Sequence, residues 1–183
     1  KRGVAVAFLD LYRNIKRITK KIEDKRIYDR NFWWLSVIRE FLKEPPRRSF
    51  LNELTSVYWD AVEEKSEPYK DAIPVLAYLK KKKYTLGMVS DTDGIKERKS
   101  KRIKNLNFKE WFDAVVVAGE STKHTKPNKE PFLLIMERLH LKPEQCVFVG
   151  NNLLVDILGA KKAGMATVFI KRDGHKARVK PDR

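Results

Sequence analysis

The segment Val147–Met165 constrains the fold of this chain more than any other part of the sequence. Its first three residues are apolar and predict a short buried strand, which Gly150 ends. Two asparagines follow, and Asp156 lies one to two helical turns further on. Small residues that allow close helix packing come next, at Ala160, Ala163 and Gly164. The segment therefore predicts a strand, a polar turn and a helix, with an acidic group directed back at the strand end.

The rest of the region from residue 70 to 179 continues this alternation of helices and strands. Helices are predicted at 72–82, 95–106, 129–140 and 155–163, and strands at 84–90, 114–118, 146–149 and 167–170. Such an alternation is typical of an α/β fold with a doubly wound parallel sheet and right-handed crossovers. Open sheets of this kind keep their ligands at the carboxyl ends of the strands, which is where Asn151 and Asp156 fall.

Two further segments place polar groups after predicted strands. The strand at 84–90 ends in the hydroxyl of Ser90 and is followed by Asp91. The segment at 119–132 contains Lys126 and Pro127 in a loop, and Pro131 suits the first turn of the next helix. Both loops are expected at the same edge of the sheet as Asp156.

These three segments resemble motifs of the haloacid dehalogenase (HAD) superfamily, in the family's order. The Gly150 to Met165 stretch is similar to the fourth motif over nearly all of its length, except that Asn151 stands where the family usually has aspartate. Ser90 matches the second-motif hydroxyl residue, and Lys126 matches the motif lysine. The resemblance implies a Rossmann-like core with a small helical cap domain.

The resemblance also implies a role for each matching residue. Ser90 would hydrogen-bond the transferred phosphoryl group, and Lys126, at the mouth of the site, would neutralise carboxylate and phosphate charge. Asn151 and Asp156 would hold Mg²⁺, which prefers oxygen ligands. Asp91 has two interpretations: it binds substrate phosphate through its backbone N–H, or it caps the following helix.

The first motif is where the resemblance weakens. The family has a nucleophilic aspartate at the end of its first strand, a second acid two residues later, and Thr or Val two further on. Residues 4–8 predict that strand, and Asp10 is the candidate nucleophile. Tyr12 then occupies the acid position and Asn14 the threonine position, which would impair a phosphatase.

A second interpretation concerns the join between Phe8 and Leu9. Apolar residues recur at helical spacing from Leu9 onward, so a helix is predicted to start with no turn after the strand. A strand needs a turn before a helix can pack back on it. The alternative hypothesis is that the polypeptide carries further residues between Phe8 and Leu9, including the true first-motif turn.

The domain organisation follows from a change in pattern near residue 69. Residues 9–69 predict long helices, including an apolar one before Pro45 and Pro46, and we expect them to form the helical cap. Residues 1–8 and 70–183 are expected to form the α/β core. The indoles of Trp33, Trp34 and Trp59 are expected to pack in the interior of the cap.

The amino-acid composition of the chain limits the kinds of binding partner that it can have. The net charge is +16, from 40 basic and 24 acidic residues, but the basic residues are spread along the chain, which favours a solvated surface over a nucleic-acid site. This charge suits a small phosphorylated or otherwise anionic substrate. No apolar stretch approaches a membrane span, no signal peptide is visible, and the single cysteine, Cys146, excludes a disulfide framework, so a cytoplasmic location is expected.

Together these features predict a Mg²⁺-dependent phosphatase that acts on a small phosphorylated metabolite through an aspartyl-phosphate intermediate. Two alternatives stand beside this hypothesis. One is a 2-haloacid dehalogenase of the same superfamily, which uses an aspartate nucleophile without a metal. The other is a non-catalytic HAD-fold binding protein, if the first motif really is Asp10, Tyr12 and Asn14.

Overall fold

The computed structural model describes residues 7–23, 29–105 and 109–171, and the chain divides into two compact units, Lys1–Glu67 and Pro68–Arg183. The helices of the first unit are α1 (Phe8–Glu23), α2 (Arg30–Ile38) and α3 (Arg48–Glu64). Those of the second are α4 (Ala72–Lys81), α5 (Arg98–Asn105), α6 (Glu130–Leu139) and α7 (Leu158–Lys162). Its strands are β1 (Gly87–Asp91), β2 (Ala114–Ala118), β3 (Val147–Gly150) and β4 (Ala166–Phe169). No helix in the described ranges is both long enough and apolar enough to cross a membrane.

The three helices of the first unit pack through one apolar face of each. Ile18 of α1 and Trp33 and Val37 of α2 are buried together. The side chain of Asp29 caps α2 by accepting from the backbone N–H groups of Asn31 and Phe32. The sequence prediction of a helical segment at 9–69 is confirmed for these elements.

Aromatic rings fill the contact between α2 and α3. Trp33 is 5% exposed and Trp59 is 8% exposed, so the prediction of interior packing is confirmed for these two indoles, whereas Trp34 is half-buried. The guanidinium of Arg30 lies over the Trp33 ring at 5.0 Å and over the Tyr58 ring at 4.5 Å. Cation–π contacts of this kind add to the apolar packing.

At Phe8 the structure shows the start of a helix, whereas the sequence predicted the end of a strand there. Phe8 is the first residue of α1, and its ring stacks on that of Tyr12, four residues later, with ring centroids 6.1 Å apart. The N–H of Leu11 donates to the carbonyl of Ala7 at 3.1 Å, so the helix runs through Phe8 and Leu9 without interruption. Residues 4–6 of the predicted strand lie outside the described residues. The hypothesis of further residues between Phe8 and Leu9 finds no support here.

The second unit has the predicted α/β arrangement, and all of its described strand pairs are parallel. Strand β1 pairs with β2, with Ser90 opposite Val117, and β3 pairs with β4, with Gly150 opposite Phe169. Within the described ranges these are two separate two-stranded sheets. A parallel α/β fold therefore forms as the alternation of elements predicts.

Helices α6 and α7 pack against strand β2 in the core of this unit. Phe132 is fully buried among Val116 of β2, Ile135 and Ala160. Gly159 lies so close to the Phe132 ring that a Cβ there would stand 2.8 Å from its Cζ atom. The predicted close packing by small residues is confirmed at Ala160 and Ala163, which are both buried in this core. Gly164 adopts a positive φ of 83° that glycine tolerates well.

Candidate functional site

Three charged side chains meet beyond the ends of β1 and β3. The Nζ atom of Lys126 lies 2.6 Å from Oδ1 of Asp156 and 3.9 Å from Oδ2 of Asp91. The backbone N–H of Lys126 also donates to Oδ1 of Asp91 at 3.0 Å. Lys126 is therefore held between two carboxylates, Asp91 at the end of β1 and Asp156 in the turn after β3. This is the arrangement expected for groups at the carboxyl ends of parallel strands.

Asp156 is fixed by the turn that follows β3. Its Oδ2 accepts from the backbone N–H groups of Asn151 at 3.2 Å and Asn152 at 3.0 Å, while Oδ1 accepts from Lys126. Gly150 leaves the space for this arrangement, because a Cβ there would stand 2.8 Å from Oδ2. The carboxylate is thus bonded through both oxygens, which is why it can be 6% exposed without a large penalty.

The helix turn that carries Asp156 begins with a side-chain cap. Residues Leu153–Ile157 form a single π-helical turn that leads into α7. Oδ1 of Asn152 accepts from the N–H groups of Leu154 and Val155, both at 3.1 Å. The wide turn and its cap direct Asp156 back over the end of β3.

Lys126 is more enclosed than expected. The sequence suggests a lysine at the mouth of a site, but its side chain is only 11% exposed. The reason is that the loop before α6 runs directly over the strand ends and gives Lys126 two anionic neighbours. Its aliphatic stem is buried and its ammonium is paired.

Asp91 does not cap the next helix. It is the last residue of β1, and α5 does not begin until Arg98. Its carboxylate instead braces the Lys126 loop, with a side chain that is 15% exposed. Ser90 immediately precedes it in β1 and is half-buried.

The two remaining candidates lie in different surroundings. Asn151 is exposed and contacts Asp156 through its backbone N–H, as described above. Asp10 lies on α1 of the first unit, where its carboxylate is 58% exposed and 3.4 Å from Arg13. The structure therefore places Ser90, Asp91, Lys126, Asn151 and Asp156 in the second unit, and it places Asp10 on helix α1 of the first.

The acidic groups do not by themselves fit a complete Mg²⁺ site. Within the described ranges, no group of three or more His, Cys, Asp or Glu side chains is placed to hold a metal. Both oxygens of Asp156 already accept hydrogen bonds, and Lys126 occupies the space between the two carboxylates. These groups therefore supply at most part of the near-octahedral oxygen coordination that Mg²⁺ requires.

The sequence analysis missed a second charged cluster beside this site. Asp93 is 3% exposed, and it pairs with Lys99 and Arg102 of α5. A signal for it exists in the sequence, since residues three apart on a helix share a face. The surrounding basic residues at 96–104 hid that signal, because such a run is usually a solvated helix face.

Three other polar or reactive residues have structural roles in this unit. Glu120 closes the loop after β2 by accepting from Thr92 at 3.2 Å and Ser100 at 3.0 Å. His124 is exposed and lies 2.7 Å from Glu130, whose pKa this hydrogen bond lowers. Burial raises the pKa of the Cys146 thiol, which fits a small core residue and not a nucleophile.

The fold and the site together define an α/β protein with a charged centre at the ends of its parallel strands. A family model for haloacid dehalogenase-like hydrolases matches residues 2–164, and the chain therefore belongs to this family. The sequence prediction of a HAD-like fold is confirmed.

Two curated proteins that are named as phosphatases are similar to this chain in sequence. The chain is 31% identical over 163 residues to glyceraldehyde 3-phosphate phosphatase from Methanopyrus kandleri, covering 89% of this chain and 66% of the relative. It is 36% identical over 104 residues to pyrophosphatase PpaX from Halalkalibacterium halodurans, covering 57% of this chain and 46% of the relative. The chain thus spans less than two thirds of the length of these curated relatives.

Solved structures agree on the fold. A HAD phosphatase from Thermococcus onnurineus superposes with a TM-score of 0.64 at 29% identity, covering 91% of this chain and 72% of that one. A 2-haloacid dehalogenase from Pseudomonas syringae has a TM-score of 0.61 at 20% identity, with 97% and 76% covered. At 20% identity, the similarity to the dehalogenase shows a shared fold and nothing about activity.

Proposed function

We propose that this protein is a phosphatase of the HAD family that acts on small phosphorylated metabolites. The observation that carries the proposal is the position of Lys126, whose ammonium is held between Asp91 and Asp156. The phosphatase relatives described above support the same reaction class. In this proposal, residues 9–69 form the cap, residues 1–8 and 70–183 form the core, and the protein works in the cytoplasm.

The described residues have distinct roles in this proposal. The Lys126 ammonium neutralises charge on the bound phosphoryl group, and the Ser90 hydroxyl donates a hydrogen bond to one of its oxygens. Asp156 is a positioning residue, because it fixes the ammonium through a 2.6 Å contact. Asp91 fixes the backbone of the same loop.

Asp10 is the proposed nucleophile, and Tyr12 takes the place of the general acid. A phenol gives up its proton less readily than a carboxylic acid, so it is the weaker acid–base group for this step. We therefore expect slow turnover, with hydrolysis of the aspartyl-phosphate as the slow step. Mg²⁺ also belongs to the proposal, with Asn151 and Asp156 contributing to its site, and it would supply charge neutralisation for the phosphoryl group.

The incomplete set of acidic ligands favours a second candidate, a metal-independent 2-haloacid dehalogenase. Hydrolysis of p-nitrophenyl phosphate and release of chloride from 2-chloropropionate, each with Mg²⁺ or with EDTA, separate the two. The phosphatase proposal predicts p-nitrophenol release that EDTA abolishes and no chloride release. Chloride release that survives EDTA would replace it with the dehalogenase, and no activity on either substrate would favour a non-catalytic binding protein.

A further inference from the structure

Glu130, the first residue of α6, holds the loop that carries Lys126. Its Oε1 accepts from the backbone N–H of Lys123 at 3.0 Å, and its Oε2 accepts from the backbone N–H of His124 at 3.0 Å. The Nδ1 atom of His124 lies 2.7 Å from the same Oε2, and because a carboxylate accepts, this nitrogen is the donor. We call these contacts the Glu130 clasp.

The clasp closes the chain on itself around Lys126. The contacts join Glu130 to residues six and seven positions earlier, so Lys126 lies inside the closed segment 123–130. The N–H of Lys126 is held by Asp91, and its ammonium is held by Asp156. Glu130 therefore fixes the part of the loop that leads into Lys126, where neither aspartate reaches the backbone.

The two sides of the clasp differ in how firmly they are anchored. The start of α6 is fixed by packing, because Pro131 and Phe132 are fully buried. Lys123 and His124 are both exposed, so apolar burial does not hold them in place. A polar contact to a rigid helix is therefore what fixes this part of the loop, as a precise binding site requires.

We propose that Glu130 is a positioning residue, which holds the loop so that the Lys126 ammonium stays where the phosphoryl group binds. The inference rests on the proposed function and adds to it a residue that acts through the backbone of the loop and not on the substrate itself.

The proposal predicts an effect of the opposite sign to simple electrostatics. Removing a negative charge from the neighbourhood of a bound anion should by itself strengthen phosphate binding. Loosening the loop should weaken phosphate binding, because the Lys126 ammonium is then in place for a smaller fraction of the time. The direction of the change therefore separates the two explanations.

Hydrogen exchange of the full chain, followed by NMR, tests the clasp without a ligand. In Glu130→Ala, the N–H of Lys126 should exchange about threefold faster or more, because the loop opens more often. This N–H donates to Asp91 and not to Glu130, so its own acceptor is still present in the variant. Unchanged exchange at Lys126 in folded Glu130→Ala would overturn the proposal.

Calorimetric titration with inorganic phosphate tests the consequence for binding. Glu130→Ala should bind phosphate about threefold or more weakly, an effect typical of coupled neighbouring groups. Glu130→Gln loses the charge but keeps one acceptor oxygen, so it should lose less affinity. The matched control is Glu137→Ala, which removes an exposed carboxylate from the same helix and should not weaken binding.

The Lys126→Met background separates positioning from a general loss of structure. If Glu130 acts through the Lys126 ammonium, adding Glu130→Ala to Lys126→Met should weaken phosphate binding no further. An additive loss, or tighter binding in Glu130→Ala, would overturn the proposal. A wild type that binds no phosphate, together with faster exchange at Lys126 in Glu130→Ala, would count against the phosphoryl site only and leave the clasp standing.

Discussion

At the residue scale, the site is organised by Asp156. One of its oxygens holds the Lys126 ammonium and the other accepts from two backbone N–H groups, so a single carboxylate joins the turn after β3 to the loop before α6. The motif resemblance was sufficient to place Lys126 and Asp156 in one site. It did not include Asp93, whose partners Lys99 and Arg102 lie in a basic run that is usually a solvated helix face.

Asn151 tests the metal part of the proposal. The Asn151→Asp variant adds a negative charge beside Asp156, so Mg²⁺ affinity should rise about tenfold or more, since Mg²⁺ is bound mainly through carboxylates. Calorimetric titration with MgCl₂ measures the change. Asn152→Asp is not a suitable control because Asn152 is the helix cap, so Asn128→Asp, in the loop before α6, serves instead and should leave Mg²⁺ affinity unchanged. Equal affinities for wild type and Asn151→Asp would argue against a metal at this position.

At the scale of the element, the sequence predicted which helices and strands form better than it predicted the residues at which they begin and end. Strand β2 forms at the predicted residues, whereas the helix predicted from 95 begins only at Arg98. Gly94 has a φ of 80° and Glu97 a φ of 63°, and these left-handed conformations keep the intervening residues out of a helix. Periodicity alone carries no information about such turns. The helix predicted from residue 155 starts earlier than predicted. It begins with a π-helical turn at Leu153, because the side chain of Asn152 caps that turn.

The Asn152 cap should contribute measurably to stability. In Asn152→Ala, the N–H groups of Leu154 and Val155 lose their acceptor, and the free energy of unfolding should fall by about 1 kcal/mol. Asn152→Ser keeps a capping oxygen and should lose less. Urea denaturation of the three proteins checks the order. An Ala variant as stable as the wild type would mean that the cap is not needed for the turn.

Asp113 joins α4 to the start of β1 and should make stability depend on pH. Its pKa is lowered, first by a hydrogen bond from Lys80 and then by one from the backbone N–H of Leu86. A carboxyl with a lowered pKa stabilises the fold above its ordinary value of 3.8, and that contribution disappears as the pH falls through the lowered value.

The Lys80→Met variant should therefore be slightly less stable at neutral pH and no less stable in acid. The difference should be about 0.5 kcal/mol or less, because the Asp113 side chain is 41% exposed and water screens the pair. Urea denaturation at neutral pH and near pH 2, further below the ordinary value of 3.8, measures it. The exposed Lys83→Met variant is the control. A loss of the same size at both pH values would show that the ion pair is not the cause.

At the scale of the whole molecule, the alternation of elements was enough to predict a parallel α/β fold, and the change of pattern near residue 69 lies close to the observed division after Glu67. The first motif could not be settled in the same way. Its residues have both strand-like and helix-like patterns, and the structure resolves the conflict at Phe8 in favour of the helix because α1 buries Ile18 against α2. The assignment of cap and core to the two units stays a prediction.

The central claim is that Lys126 is the cation of a phosphoryl site, and binding of inorganic phosphate tests it most directly because no turnover is needed. Calorimetric titration should show phosphate binding by the wild type and at least about a tenfold loss in Lys126→Met, or about 1.4 kcal/mol. Lys123→Met, which removes an exposed lysine from the same loop, should bind as the wild type does. Equal phosphate affinity in wild type and folded Lys126→Met would contradict the claim.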